Sequence, residues 1–142
     1  MTIARLIDGR SGEIISCTAT MSVRDAVALL AQRRIGALPV VEDGAVVGIF
    51  SERDVVNRLA ELGPALLDSP VGSIMTAPAI SVESSLGIMD ALGLMTERRF
   101  RHLPVVENGR MVGFVSIGDL VKYRIERIEA EAEAMRSYIQ TA

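Results

Sequence analysis

Tryptophan is absent from this chain of 142 residues, and aromatic side chains make up only 4% of it. The core must therefore be built from Val, Ile, Leu, Ala and Met. An apolar share of 49% supplies these in quantity and marks a globular chain. Cysteine and histidine occur once each, as Cys17 and His102. A single cysteine closes no internal disulfide, which suits a reducing compartment, and one Cys with one His cannot assemble the usual zinc site. Cys17 stands in an apolar run with no cation beside it in sequence, so it is expected to be core filler and not a reactive thiol. No stretch approaches the ~20 apolar residues of a membrane span, and the N-terminal "MTIARLIDGRSG" lacks a long apolar leader region. A cytoplasmic chain with no membrane partner is expected. A net charge of −3 gives no general attraction to polyanions, so nucleic acid is not an expected partner either. P-loop, G-x-G-x-x-G and nucleophile-elbow patterns are missing, as is a Ser-His-acid set, and the chain is not expected to be an enzyme.

What the chain has is a repetition. "LPVVEDGAVVGIFSERD" at residues 38–54 returns as "LPVVENGRMVGFVSIGD" at residues 103–119. A shift of 65 positions lays Ile15 to Arg58 over Ile80 to Tyr123, matching Asp25-Ala26 with Asp90-Ala91 and Arg33-Arg34 with Arg98-Arg99. This is a tandem duplication. In each copy an apolar run, "EIISCT" or "AISVE", suggests a short strand. Ser22 and Ser85 are placed to cap helices whose apolar residues fall at helical spacing: Val23, Val27 and Leu30, then Ile88, Leu92 and Met95. Two β-branched runs follow, joined by Asp43-Gly44 in one copy and Asn108-Gly109 in the other, dipeptides suited to the positive φ of a tight hairpin. Ser51 and Ser116 then start a second helix. The expected unit is β-α-β-β-α, and about sixty residues of it leave a sheet face in need of cover.

These boundaries give a first repeat over residues 1–62, a linker over 63–76, a second repeat over 77–125 and a C-terminal amphipathic helix over 120–142. The linker region carries Pro64, Pro70 and Pro78, and predicts a connector with one helical turn at Val71 to Met75. In the tail, Val121, Ile125, Ile128, Ala132, Met135 and Ile139 alternate spacings of four and three, a heptad seam. It fits either a helix lying on its own domain or one pairing with a second chain.

The doubled "LPVV…G…VVG…S…D" phrase, behind a strand and a helix, resembles the CBS domain family, named after cystathionine β-synthase. Two such copies look like a CBS pair, or Bateman module, and "SERD" and "RFRHLP…SIGDLVK" are most similar to small stand-alone bacterial members. The resemblance implies an α+β (α/β) fold of two repeats packed with pseudo-two-fold symmetry, two clefts at their junction, and a homodimer. It implies an adenosyl ligand, AMP or NAD ahead of ATP and S-adenosylmethionine, and no catalytic cofactor. The implied role is a non-catalytic regulatory sensor. The alternative is a structural or interaction module with vestigial clefts, acting on an unknown protein target through dimerisation or its C-terminal helix.

On that resemblance the first site would contain Ser51 and Asp54 with Ile35, Gly36, Ala37, Pro39 and Ile15. The second would contain Ser116, Ile117, Gly118 and Asp119 with Phe100, Arg101, His102, Pro104 and Ile80. The chemistry is consistent: a helix start offers N–H groups to a phosphate, and an ionised aspartate can accept from two ribose hydroxyls. Ser-x-x-Asp is equally a capping arrangement. Pro39 and Pro104 could leave backbone groups unpaired for an adenine edge, or simply punctuate an edge strand. Arg101 and His102 stand where the first copy has Gly36 and Ala37, so a phosphate would favour the second site; a solvated arginine and a backbone-bonded histidine are the plainer alternatives.

Overall fold

The computed structural model describes residues 1–9 and 13–141. The hairpins form as their turn dipeptides dictate. β1 (Ala37–Glu42) and β2 (Ala45–Ser51) pair antiparallel, with Asp43 and Gly44 at φ 51° and 82° between them. β3 (His102–Glu107) and β4 (Arg110–Ser116) repeat the arrangement, with Asn108 and Gly109 at 52° and 79°. Positive φ at both central positions gives a turn whose twist matches that of the strands.

The expected first strand of each copy is reduced to a single parallel bridge, Cys17 to Val40 and Val82 to Val105. Proline explains why. Cys17 donates to the Pro39 carbonyl at 3.0 Å and accepts from Val41 at 2.9 Å, and Val82 does the same between Pro104 and Val106. The next rung toward the N-terminus would need an N–H from Pro39 or Pro104, which proline lacks. Both prolines are buried, with a neighbour on each side of the strand, so they are not edge punctuation.

The first helices, α2 (Val23–Arg33) and α4 (Ile88–Arg98), bury Val23, Ala26 and Leu30, and Ile88, Ala91 and Met95. Ser22 caps α2 as expected, its Oγ accepting from Asp25 N–H at 3.1 Å. Ser85 does not cap α4; Gly87 does, without a side-chain bond. The 65-residue shift puts Gly87 where Ser22 stands, so the side-chain cap is lost; at the first helical residue the Met1 carbonyl accepts from Ile88 N–H at 3.2 Å, as the Ser69 carbonyl accepts from Val23 N–H at 2.8 Å in the first copy. Both helices end on arginine in the left-handed conformation, Arg34 at φ 54° and Arg99 at φ 60°. The second helices are α3 (Glu52–Leu62) and α5 (Ile117–Thr141), the latter running on into the tail without a break.

The described residues form two compact units: 13–83 with Pro104–Phe114, and 1–9 with Ser84–Leu103 and 115–141. The linker is no passive connector in the first of these. It forms two 3-10 turns, Gly63–Asp68 and Val71–Ser73, and buries Leu66, Val71 and Ile74 in one cluster with Cys17, Val23, Leu30, Leu38, Val40 and Phe50. Thr76 then exchanges two backbone bonds of 2.9 Å with Ile49, extending the hairpin. In the other unit an unexpected short helix, α1 (Ile3–Asp8), serves in the same way: Ile3 and Leu6 are buried, and Ile3 and Ala4 donate to Leu86 and Ser84 carbonyls at 2.9 Å.

α5 packs on α4 through its first turns, with Leu120 fully buried. Every residue from 125 to 141 is exposed, including Ile125, Ile128, Met135 and Ile139 on the heptad seam. The tail therefore does not lie on its own unit. No described helix is long and apolar enough to cross a membrane.

Candidate functional site

The same device sits at the end of both hairpins. In the first copy Ser51 is the N-cap of α3; Asp54 Oδ2 accepts from Ser51 N–H at 3.0 Å and from its hydroxyl at 3.1 Å, and Ser51 Oγ accepts from Asp54 N–H at 3.4 Å. In the second, Asp119 Oδ2 accepts from Ser116 N–H at 2.8 Å and Ser116 Oγ accepts from Asp119 N–H at 3.1 Å. Capping is thus what both Ser-x-x-Asp motifs do in this structure. The first helical residue also finds a carbonyl on the strand rim, Glu52 N–H on Gly36 at 3.0 Å and Ile117 N–H on Arg101 at 2.8 Å. An anion at either helix start would meet mainly the N–H of the second helical residue, Arg53 or Gly118.

Those rim bonds bring the α2–β1 connection against the start of α3, and the α4–β3 connection against the start of α5. Ile35 and Gly36 are half-buried beside Glu52, and a Cβ on Gly36 would stand 3.7 Å from the Glu52 carboxyl. The first copy therefore holds a carboxylate at this place, with exposed Arg53 next to it. The second has the opposite arrangement. Apolar Ile117 stands where Glu52 was, side-chain-free Gly118 where Arg53 was, and Arg101 where Gly36 was. Arg101 is exposed, with Phe100 and His102 half-buried on either side, and its guanidinium makes no ion pair among the described residues.

Asp54 is held further. Its Oδ1 accepts from Thr76 Oγ1 at 3.0 Å, a contact without a signal in the sequence, because Thr76 lies in the linker. Ala37 and Pro39 are buried and show little surface to a ligand, as does Pro104. Ile15 is half-buried and Ile80 is 42% exposed. Each lies two residues before its copy's bridge, at the rung that proline leaves unmade.

Against known proteins, the CBS domain profile matches residues 10–61 and 71–126. The chain belongs to the CBS domain family. It is 37% identical over 134 residues to the CBS domain-containing protein CBSX3, mitochondrial, of Arabidopsis thaliana, covering 91% of this chain but 65% of that relative's length. A CBS-domain-containing protein of Agrobacterium tumefaciens has the same fold, with a TM-score of 0.83, 37% identity, and coverage of 87% of this chain and 99% of the other. CBSX2, solved in complex with AMP, aligns with a TM-score of 0.69 and 31% identity over 80% of this chain and 89% of its own. The mixed helix and strand architecture, with two CBS repeats and a long C-terminal helix, is as the sequence led one to expect.

Proposed function

We propose that this chain is a non-catalytic regulatory module that binds an adenine nucleotide carrying at least one phosphate, AMP or the AMP half of NAD, and that its second copy is the stronger site. One observation carries the reading. The Ile117 N–H to Arg101 carbonyl bond sets the backbone of Arg101, a residue with no ion pair among the described residues, against a helix start whose second residue is glycine, so a cation within side-chain reach and a free N–H can serve one phosphate. Asp119, an acceptor even while it caps, remains suited to ribose hydroxyls. The likeness to CBSX2, whose structure holds AMP, supports the ligand class. In the first copy the same place is occupied by Glu52, whose carboxylate opposes a phosphate there, which favours a weak or vestigial site.

Thermal melting with AMP, NAD, ATP and S-adenosylmethionine tests this. A ligand at about 100 times its dissociation constant adds about 2.7 kcal/mol. Calorimetry should then show that Arg101→Ala weakens AMP by about tenfold or more and leaves adenosine within twofold. Flat melts across the panel would favour the interaction-module alternative, and equal losses for AMP and adenosine would remove Arg101 from the phosphate.

A further inference from the structure

The tail of α5 cannot owe its helix to packing on the rest of the chain, because every residue from 125 to 141 is exposed. In proteins most of a helix's stability comes from packing of an amphipathic face. Its apolar residues nevertheless keep one face: Ile125, Ala132 and Ile139 fall at heptad position a, and Val121, Ile128 and Met135 at d. We propose that this seam is closed by the same helix of a second copy of the chain, parallel and in register.

Charge selects that orientation. In a parallel pair, position g of one helix meets position e of the next heptad on its partner. Here those contacts are Arg124 with Glu129 and Glu131 with Arg136, both of opposite sign. In the antiparallel arrangement that aligns the same apolar layers, Glu129 and Glu131 each meet their own symmetry copy, and Lys122 faces Arg136. Every one of those contacts is between like charges. The ion pairs made within the single helix do not compete strongly: Arg127 to Glu131 at 3.9 Å and Arg136 to Glu133 at 3.4 Å join side chains 46–73% exposed.

A cysteine near the end of the seam reports the pairing in the full chain, whatever other contacts the protein makes. Ile139→Cys places a thiol opposite its own copy in a parallel pair; antiparallel, it would lie beside Val121, about 27 Å away along the helix. Cys17 is 3% exposed, so the parent chain is the blank. In a glutathione redox buffer the 139–139 disulfide should form readily. Glu131→Arg or Arg136→Glu alone should lower its equilibrium constant about fivefold, and the two together should restore it to within twofold. Residues 131 and 136 are five apart and cannot pair along one helix, so only a partner chain explains the rescue. The proposal is overturned if no 139–139 disulfide forms, if the reversals add without rescue, if Ile139→Cys crosslinks to Val121→Cys in a mixture instead, or if light scattering of the parent chain gives a monomer or a trimer.

Discussion

Thr76 donates its hydroxyl proton to Asp54 Oδ1 at 3.0 Å, tying the segment between the two repeats to the start of α3. With Ser51 on Oδ2, the Asp54 carboxylate is bonded at both oxygens without any ligand. Asp54→Ala should therefore lower stability by about 1–2 kcal/mol in ligand-free protein, the scale of a lost N-terminal cap. Urea unfolding measures it. An unchanged midpoint would show that the capping box contributes nothing and that Asp54 is kept for a ligand.

The turns, the second helix of each copy and the Ser22 cap were legible because each is decided within a few residues: Asn-Gly or Asp-Gly for the hairpin, Ser with a carboxylate three residues later for the helix. The first strands were not, because a rung depends on the partner strand, and there Pro39 and Pro104 withhold the donor. The role of the linker was hidden for the same reason. Val71 and Ile74 show the same apolar spacing as Ile3 and Leu6, which is the signal that both segments are core, but spacing does not say which helix they cover. At the candidate site the Arg101 contrast was visible in the aligned copies. The matching contrast of Glu52 with Ile117 carries no meaning in the sequence alone, since only the rim bonds show that those residues belong to the same place.

If the linker is core, it must behave as core under mutation. Leu66 is fully buried in the cluster with Leu38 and Phe50. Leu66→Ala should cost about 2–5 kcal/mol, the range for large-to-small changes in packed interiors. The neighbouring exposed Ala65→Gly is the control. A loss under about 1 kcal/mol for Leu66→Ala would return the segment to the status of a tether.

Cys17 offers a pH test of the same core. Burial raises its thiol from 9.0 to about 11. The folded state therefore favours the protonated thiol; this contribution to stability is complete below about pH 9 and is lost as pH rises toward 11. Unfolding free energy should decline over that window in the parent chain and decline less in Cys17→Ala. At pH 8 the native thiol should resist iodoacetamide and react after denaturation. Rapid native labelling would contradict the burial.

The two copies can also be exchanged in chemistry without exchanging their folds. A Cβ at position 36 would stand 3.7 Å from the Glu52 carboxyl, and the backbone there is not left-handed, so a side chain can start there without backbone strain. Gly36→Arg alone should do little for AMP, because the new guanidinium pairs with Glu52. Glu52→Ile alone removes a negative charge from the place a phosphate would take, which should help slightly. Combined, they reproduce the arrangement of Arg101 and Ile117 in the first copy. In an Arg101→Ala background, where the second site is weakened, the combined variant should bind AMP about tenfold more tightly than either single change, the scale of one charge-assisted hydrogen bond to phosphate. Adenosine should bind all of them alike. If the combined variant gains nothing over Glu52→Ile, the cation at this position does not reach the phosphate, and the preference for the second copy would have to come from elsewhere in its sequence.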